Sequence, residues 1–595
     1  MSAIATGAPG ATTRRAPSRR WRELAMGAPL VLLLVVMLLY PVGQLLLLSV
    51  QTGQGFTLAP YKQLFASSVY VDVLLITLKI SFWTTVFAVI AGYPVAYAIS
   101  AAPTARKGTL LFWVLLAFWT SFLVRAFAWI VLLGRTGVIN QLLQALGILD
   151  APADLLYNFG AVIVGMVHAL MPLAVLTMLS VMENIDRDLP RAAATLGARP
   201  GTAFWKIYFP LSFPGVAAAA IMVFVTAIGF FIVPALLGGR RETMIAQIII
   251  EQVLQTLNWG FAGAISVLLL LVVLVVFLVY DRVFGLSTMT GSAPLREGSG
   301  RRDGRLQRLG DVVLDVLGAV SDRLLALLPR PRGVVEAGRS RLLKVLLVLV
   351  LLFLSVPAFL MIPMSFSASP SLTWPPSGFS LQWYRQMFDS PVWVQAITRS
   401  LLVALGTGLL AMAIGTPAAF LLVRGRMRAK PAFLAFALAP IVVPRMIIAV
   451  GMFYFFARVG LVGTAAGLII GHTVVAVPYV VMTMMAVLKN YDTRLDLAAQ
   501  SLGAGPWATL RHVTFPILAA GLFSSFLFAF ATSFDELTIA LFASGGLHAT
   551  LPKQFWDEVT LQVSPVIAAV STCLFLFLAV LIWIADRMRR RSLAH

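Results

Sequence analysis

Long apolar runs, separated by short polar stretches, recur along nearly the whole chain. Wound as α-helices, runs of roughly 20 residues match the hydrocarbon thickness of a bilayer. They fall near 26–49, 74–100, 109–133, 160–182, 212–237 and 261–284. After a polar gap they recur near 342–365, 400–423, 432–457, 463–487, 517–542 and 563–586. The pattern predicts an all-α integral membrane protein with twelve transmembrane helices arranged as two six-helix repeats. Five segments follow from it: a disordered cytoplasmic N-terminus (1–25), a first half (26–284), a cytoplasmic linker (285–341), a second half (342–588) and a cytoplasmic tail (589–595).

Composition agrees, since 60% of the 595 residues are hydrophobic and only 12% charged, more apolar surface than a soluble core of this size could hide. The net charge of +21 could suggest nucleic acid, but its distribution excludes that partner. Arg14, Arg15, Arg19, Arg20 and Arg22 precede the first run, Arg106 and Lys107 follow the second, and Arg187, Arg191, Arg199 and Lys206 follow the fourth. Arg424, Arg426, Arg428 and Lys430 take the matching place in the second half, and Arg587, Arg589, Arg590 and Arg591 close the chain. Cations gathered in alternate loops obey the positive-inside rule and put both termini in the cytoplasm, with Arg240 and Arg241 as the exception. No small-residue cleavage site ends the first run, which reads as an uncleaved helix. Cys573 is alone, so no intramolecular disulfide is available, and the five histidines lack metal-ligand spacing. In the linker, Leu306, Leu309, Val313, Val316, Leu317, Val320, Leu324 and Leu328 recur at helical spacing. That pattern suits either a helix in the membrane interface or a loosely ordered tether.

The two halves repeat. Displacing the chain by 306 positions lays Gly197 on Gly503, Gly165 on Gly471, Pro172 on Pro478, Asn184 on Asn490, and Leu196-Gly197-Ala198 on Leu502-Gly503-Ala504. Halves that start on the same side relate by a pseudo-twofold axis along the membrane normal. The repeat is best kept in the cytoplasmic loops 183–210 and 489–516, a placement that points to one protein contact made twice. Each loop reads as a short Ala-rich helix, a glycine turn, an amphipathic stretch and a proline (Pro210, Pro516) where the next span begins.

The loop sequences RAAATLGARPGTAFWKIYFP and LAAQSLGAGPWATLRHVTFP resemble the "EAA" loop of type I binding-protein-dependent ABC importers. They depart from it at Arg191 and Leu497, which replace its glutamate, and at Phe209 and Phe515, which replace its leucine. WTSFLVRAFAWIVLLGRTGVIN and IGFFIVPALLGG resemble the first permease of the spermidine/putrescine family, whereas FSLQWYRQMF, PRMIIAVGMFYFF and SFDELTIALF resemble the second. The resemblance implies a natural fusion of two permeases with the type I importer fold, in a bacterial cytoplasmic (inner) membrane. It implies two copies of an ABC ATPase coupled through Ala192, Ala193, Gly197 and Pro210 and through Ala498, Ala499, Gly503 and Pro516. A periplasmic or lipid-anchored binding protein would deliver the solute. The chain itself has no GxxxxGK[ST] phosphate loop and is read as a permease, not an enzyme, with ATP and magnesium held by the partner. The competing reading, an ion-coupled twelve-helix secondary transporter, would need coupling-ion residues of its own and offers no reason for the paired loops.

Four charges within the apolar runs stand out: Arg125 and Arg445 in the third span of each half, and Asp535-Glu536 in the fifth span of the second. Such groups pair with one another or line a pathway. Ala235 and Arg445 stand where the polyamine permeases are acidic, so the resemblance leaves a polyamine, an opine, another carboxylate or a phosphonate open as solute. Trp83, Trp113, Trp129 and Trp583 suit helix ends at the interface.

The topology is checked by cysteine labelling in a Cys573→Ser background. Cysteines introduced at Ser2, Arg428 and Ser592 should react with an impermeant maleimide on intact cells only after permeabilisation; reaction beforehand would invert the orientation.

Overall fold

The computed structural model describes residues 19–52, 55–186, 188–284, 312, 314–323, 341–376, 378–545, 548–561 and 564–592. Among them, ten helices are long and apolar enough to cross a membrane, and Lys430–Val442 with Arg445–Val459 forms one more span bent by 90°. Pro565–Ser592, 28 residues long, takes the last of the twelve expected places. The first helix starts at Arg19 rather than near 26 and runs to Leu48 through one wide turn at Val35–Leu39. Residues 1–18 and 593–595, parts of the expected N-terminus and tail, lie outside the described residues.

The repeat seen in the sequence is kept in the backbone. Helices Asp188–Thr195, Pro200–Ala203, Phe209–Ile228 and Ile232–Leu237 reappear as Arg494–Ser501, Pro506–Thr509, Phe515–Phe534 and Thr538–Ala543, each displaced by the same 306 positions. The second spans, Ser68–Ala101 and Pro391–Arg424, are both 34 residues long. The first half carries an extra helix, Val138–Ala145, between its third and fourth spans.

Lipid tails are as apolar as leucine, so spanning helices associate by close packing and interhelical hydrogen bonds. Within each half the second, fourth and fifth spans pack through small residues. A Cβ on Gly215 would come within 2.9 Å of Val181, and one on Gly521 within 2.5 Å of Val487. The hydroxyls of Tyr93 and Ser212 meet at 2.8 Å in the first half, and Thr483 donates to Ser525 at 2.8 Å in the second.

The first spans cross over. Arg19–Leu48 packs on the second half, where a Cβ on Gly451 would lie 3.0 Å from the Pro41 carbonyl. Arg341–Ser365 packs on the first half: the Leu354 carbonyl is 3.2 Å from His168 Nε2, and Phe353 packs on Trp129 at 5.5 Å. Trp129 is only 7% exposed, so it is a packing residue of this interlock and not an interfacial anchor.

Most of the expected linker (285–311, 313 and 324–340) lies outside the described residues. Residues 314–323 are helical and dock on the first cytoplasmic loop, with Asp322 accepting from Gly201 N at 2.7 Å.

Filling the closest crossing should loosen the interlock. Gly451→Leu forces overpacking worth about 1–3 kcal/mol and should lower the thermal midpoint in detergent, while Gly505→Leu, where a Cβ meets nothing within 4 Å, should not.

Candidate functional site

Four spans break inside the apolar region. In the first half, Thr120 and Ser121 are extended (ψ 135° and 137°) between Thr104–Trp119 and Phe122–Leu133. The Leu116 carbonyl accepts the last ladder bond from Thr120 N (3.1 Å) and a second bond from Thr120 Oγ1 (2.7 Å). In the second half, Pro444 excludes the helical conformation at Val443 (ψ 127°). The fifth spans break at Gly229–Phe231 and Asp535–Leu537. Asp535 and Glu536 thus sit in a break, not within the helix expected from the apolar run.

Each break exposes N–H groups that lipid cannot satisfy. Glu536, 1% exposed, accepts from Thr538 N (3.1 Å), Ile539 N (2.7 Å) and Ala540 N (3.3 Å), closing the start of its own short helix. Asp535 Oδ2 reaches the other half and accepts from Phe122 N at 3.4 Å. The repeat puts Gly229 in the place of Asp535, and a Cβ there would lie 3.2 Å from Pro444 Cβ and 4.0 Å from Arg445 N. The fifth-span break of each half therefore abuts the third-span break of the other, so the four breaks form one junction between halves.

The arginines border this junction. Arg125 is 2% exposed, lies 4.5 Å over the Phe122 ring and donates to the Ala169 carbonyl at 3.1 Å; its Nε has no partner. Arg445 is half-buried and donates to Tyr479 OH at 3.3 Å. No ion pair within 4.0 Å joins either arginine to Asp535 or Glu536, so the direct salt bridge weighed from the sequence is not made. The histidine that accompanies Glu536 was not singled out: His472 Nε2 lies 3.6 Å from it, and Nδ1 lies 2.8 Å from Ser533 Oγ. A histidine inside an apolar run was the available signal. Aromatic rings fill the rest, with Phe122 on Phe230 at 5.2 Å, Trp119 on Phe528 at 4.5 Å and Tyr479 stacked on Phe528 at 5.7 Å. Beside Asp535 only a narrow crevice remains, lined by Ser121, Leu123, Phe534, Leu551, Phe555 and Leu578 among others, too small for a solute.

The cytoplasmic loops are built alike. Asp188–Thr195 ends with Ala198 N bonded to the Ala193 carbonyl (3.0 Å), and Arg494–Ser501 ends with Ala504 N bonded to that of Ala499 (3.0 Å). Gly197 (φ 89°) and Gly503 (φ 87°) take the left-handed conformation that such closure requires. The preceding leucines stand at the tips, Leu196 89% and Leu502 88% exposed. Ala192 and Ala498 are exposed beside them, while Ala193 is buried and Ala499 half-buried against the loop. Pro210 and Pro516 lie one residue inside Phe209–Ile228 and Phe515–Phe534. The wide turns before them (Phe209 N to the Phe204 carbonyl, Phe515 N to that of Leu510) absorb the missing proline donor. The amphipathic stretch is thereby continuous with the fifth span rather than a separate helix.

Two six-span halves with crossed first spans, helix breaks meeting at their interface and matched loops on one face define a membrane transporter built as a pseudo-symmetric dimer within one chain. The family described as "Binding-protein-dependent transport system inner membrane component" matches residues 85–285 and again 411–593, and the chain belongs to it. It is a multi-pass inner-membrane permease of the type I ABC importer class. Two permeases are fused in it, and ATP hydrolysis resides on a separate subunit. The ion-coupled alternative gives way to this assignment. The Escherichia coli (strain K12) spermidine/putrescine transport system permease protein PotB is 34% identical over 227 residues, 38% of this chain and 82% of its own length. PotC of the same strain is 28% identical over 241 residues, 40% of this chain and 90% of its own. A solved bacterial ABC transporter involved in the import of the acidic polysaccharide alginate aligns with 45% of this chain and 97% of its own, at 14% identity and a TM-score of 0.33, a distant likeness.

The two acids should separate on mutation. Glu536→Ala strands three buried N–H groups, each worth about 1–3 kcal/mol, and should lower the thermal midpoint sharply without any solute present. Asp535→Ala removes one long contact and should cost far less stability, so a transport defect in that variant would be read directly. Equal destabilisation of the two variants would contradict the assigned contacts.

Proposed function

We propose that the chain carries a small solute bearing an anionic group, a carboxylate or phosphonate, across the inner membrane by alternating access. The solute is handed over by a binding protein, and the cycle is driven by two ATPase copies seated on the paired loops. What supports the docking is the exposure of Leu196 and Leu502 at matched glycine-closed tips, since an apolar side chain held out on a rigid knob suits a groove in a soluble partner. Ala192, Ala193, Gly197 and Pro210, with Ala498, Ala499, Gly503 and Pro516, shape those knobs. Closure of the ATPases would then draw the two halves past one another at the four-break junction.

The observation carrying the solute class is how the junction's charges are spent. Glu536 is committed to three backbone donors and Asp535 to one, whereas Arg125 keeps an unpartnered Nε and Arg445 keeps donors beyond its single bond to Tyr479. Arginine forks suit carboxylate and phosphonate groups. A polyamine is the second reading, favoured by the relatives named for spermidine and putrescine and by the carboxylate of Asp535.

A thermal-shift panel on the cognate binding protein distinguishes the two. Stabilisation by carboxylates or phosphonates, with uptake lost in Arg445→Ala, supports the anionic reading; stabilisation by polyamines alone overturns it. For docking, Leu196→Asp with Leu502→Asp should cut recovery of the ATPase with the purified chain at least about tenfold, and unchanged recovery would refute the knobs as the seat.

A further inference from the structure

The two cytoplasmic loops have nearly the same backbone but are held by different means. In the second, Asp496 is the brace. Its carboxylate accepts from Arg424 Nη1 (2.9 Å), Tyr491 OH (2.6 Å) and Thr514 Oγ1 (2.8 Å), tying Arg494–Ser501 to the end of the second span and the start of the fifth. Burial alone would raise this carboxyl, but the Tyr491 and Thr514 hydroxyls and the Arg424 charge together hold it below the usual aspartate range. Displacement by 306 positions brings Asp496 onto Pro190, Tyr491 onto Ile185 and Thr514 onto Tyr208. The first loop has lost its internal brace.

A carboxylate reaches it from elsewhere in the chain. Asp322 of the linker helix is 9% exposed and accepts from Gly201 N (2.7 Å), Thr202 N (3.2 Å) and Thr202 Oγ1 (2.6 Å). Two turns earlier, Asp315 pairs with Lys206 of the wide turn that leads into the fifth span. The receiving surface is shaped for this helix. Gly201 leaves no room for a side chain beneath Ser321 and Asp322, and Gly318 lies against Thr202. In the second loop the position of Gly201 is filled by Trp507, 69% exposed, and those of Thr202 and Lys206 by Ala508 and His512. The Thr202 hydroxyl and the Lys206 amine have no counterpart there, and the Trp507 side chain stands where the linker helix packs.

We propose that the linker helix is a working part of the first coupling loop, with Asp322 as the positioning residue that does for this loop what Asp496 does for the second. The fusion segment is then more than a tether. Movement of an ATPase on the first knob reaches the fifth span through a loop stiffened by the linker, and movement on the second reaches it through a loop stiffened from within. The inference rests on the reading of these loops as the ATPase seats.

Full-length chain with and without its cognate ATPase, in lipid nanodiscs for amide exchange and in sealed proteoliposomes with the binding protein for transport, provides the test. Asp322→Asn removes the charged acceptor, and Gly201→Trp expels the linker by bulk while keeping a loop that tolerates tryptophan, as position 507 demonstrates. In both variants, amide exchange at 201–206 should rise about tenfold or more, as expected for loss of charge-assisted hydrogen bonds, with 507–512 unchanged. The ATPase should still bind, but transport per ATP hydrolysed should fall severalfold, and Asp322→Glu should restore part of it. Unchanged exchange overturns the proposal, as does raised exchange with normal transport per ATP, which would make the helix a structural ornament of the loop. The Leu196→Asp with Leu502→Asp variant separates the two readings: if it keeps the ATPase bound, the seats are wrong, whatever Asp322 does to exchange.

Discussion

A backbone N–H or carbonyl without a partner is barely tolerable in hydrocarbon, and this constraint governs the centre of the molecule. Four spans give up helical bonding where the halves meet, and each break must be closed by a group that is not lipid. The closures are specific: Glu536 on the helix that follows it, Asp535 on the facing half. The polar and charged side chains expected to mark a solute path are in large part the groups that make the breaks affordable. What they leave free is chiefly the arginine donors.

The overall plan was legible because two periodicities are strong in the sequence. Apolar runs of bilayer length gave the spans, and the 306-position repeat gave the halves and the loops, down to Gly197 and Gly503. The breaks were harder to read. Pro444 is an evident interruption, but Thr120-Ser121 and Asp535-Glu536 lie in runs whose hydropathy continues on both sides, so the span of 517–542 looked unbroken. Partnerships across the halves could not be read at all. Nothing local in the chain says that Asp535 meets Phe122 N or that Trp129 packs under Phe353. These contacts depend on crossed first spans and a pseudo-twofold axis, which are properties of the assembled fold.

The repeat also shows where symmetry was abandoned. Backbone elements coincide under one displacement through the loops and fifth spans, yet the side chains at equivalent places do different work: Asp496 against Pro190, Trp507 against Gly201, Asp535 against Gly229. On the face opposite the loops the first half adds Val138–Ala145, and Gln141 of that helix donates to the Trp374 carbonyl of the second half. Departures from symmetry gather where the halves touch each other or the linker and in the means by which each loop is held, while the second, fourth and fifth spans pack alike in both halves.

The Asp535–Gly229 difference has a consequence for stoichiometry. Two separate permeases must find each other, and a mispaired set would put two carboxylates, or none, at the junction. One polypeptide forbids that: every molecule holds one Asp535, against Phe122 N, and one Gly229, against Pro444. The junction therefore has two unlike sides whose arrangement is the same in every copy.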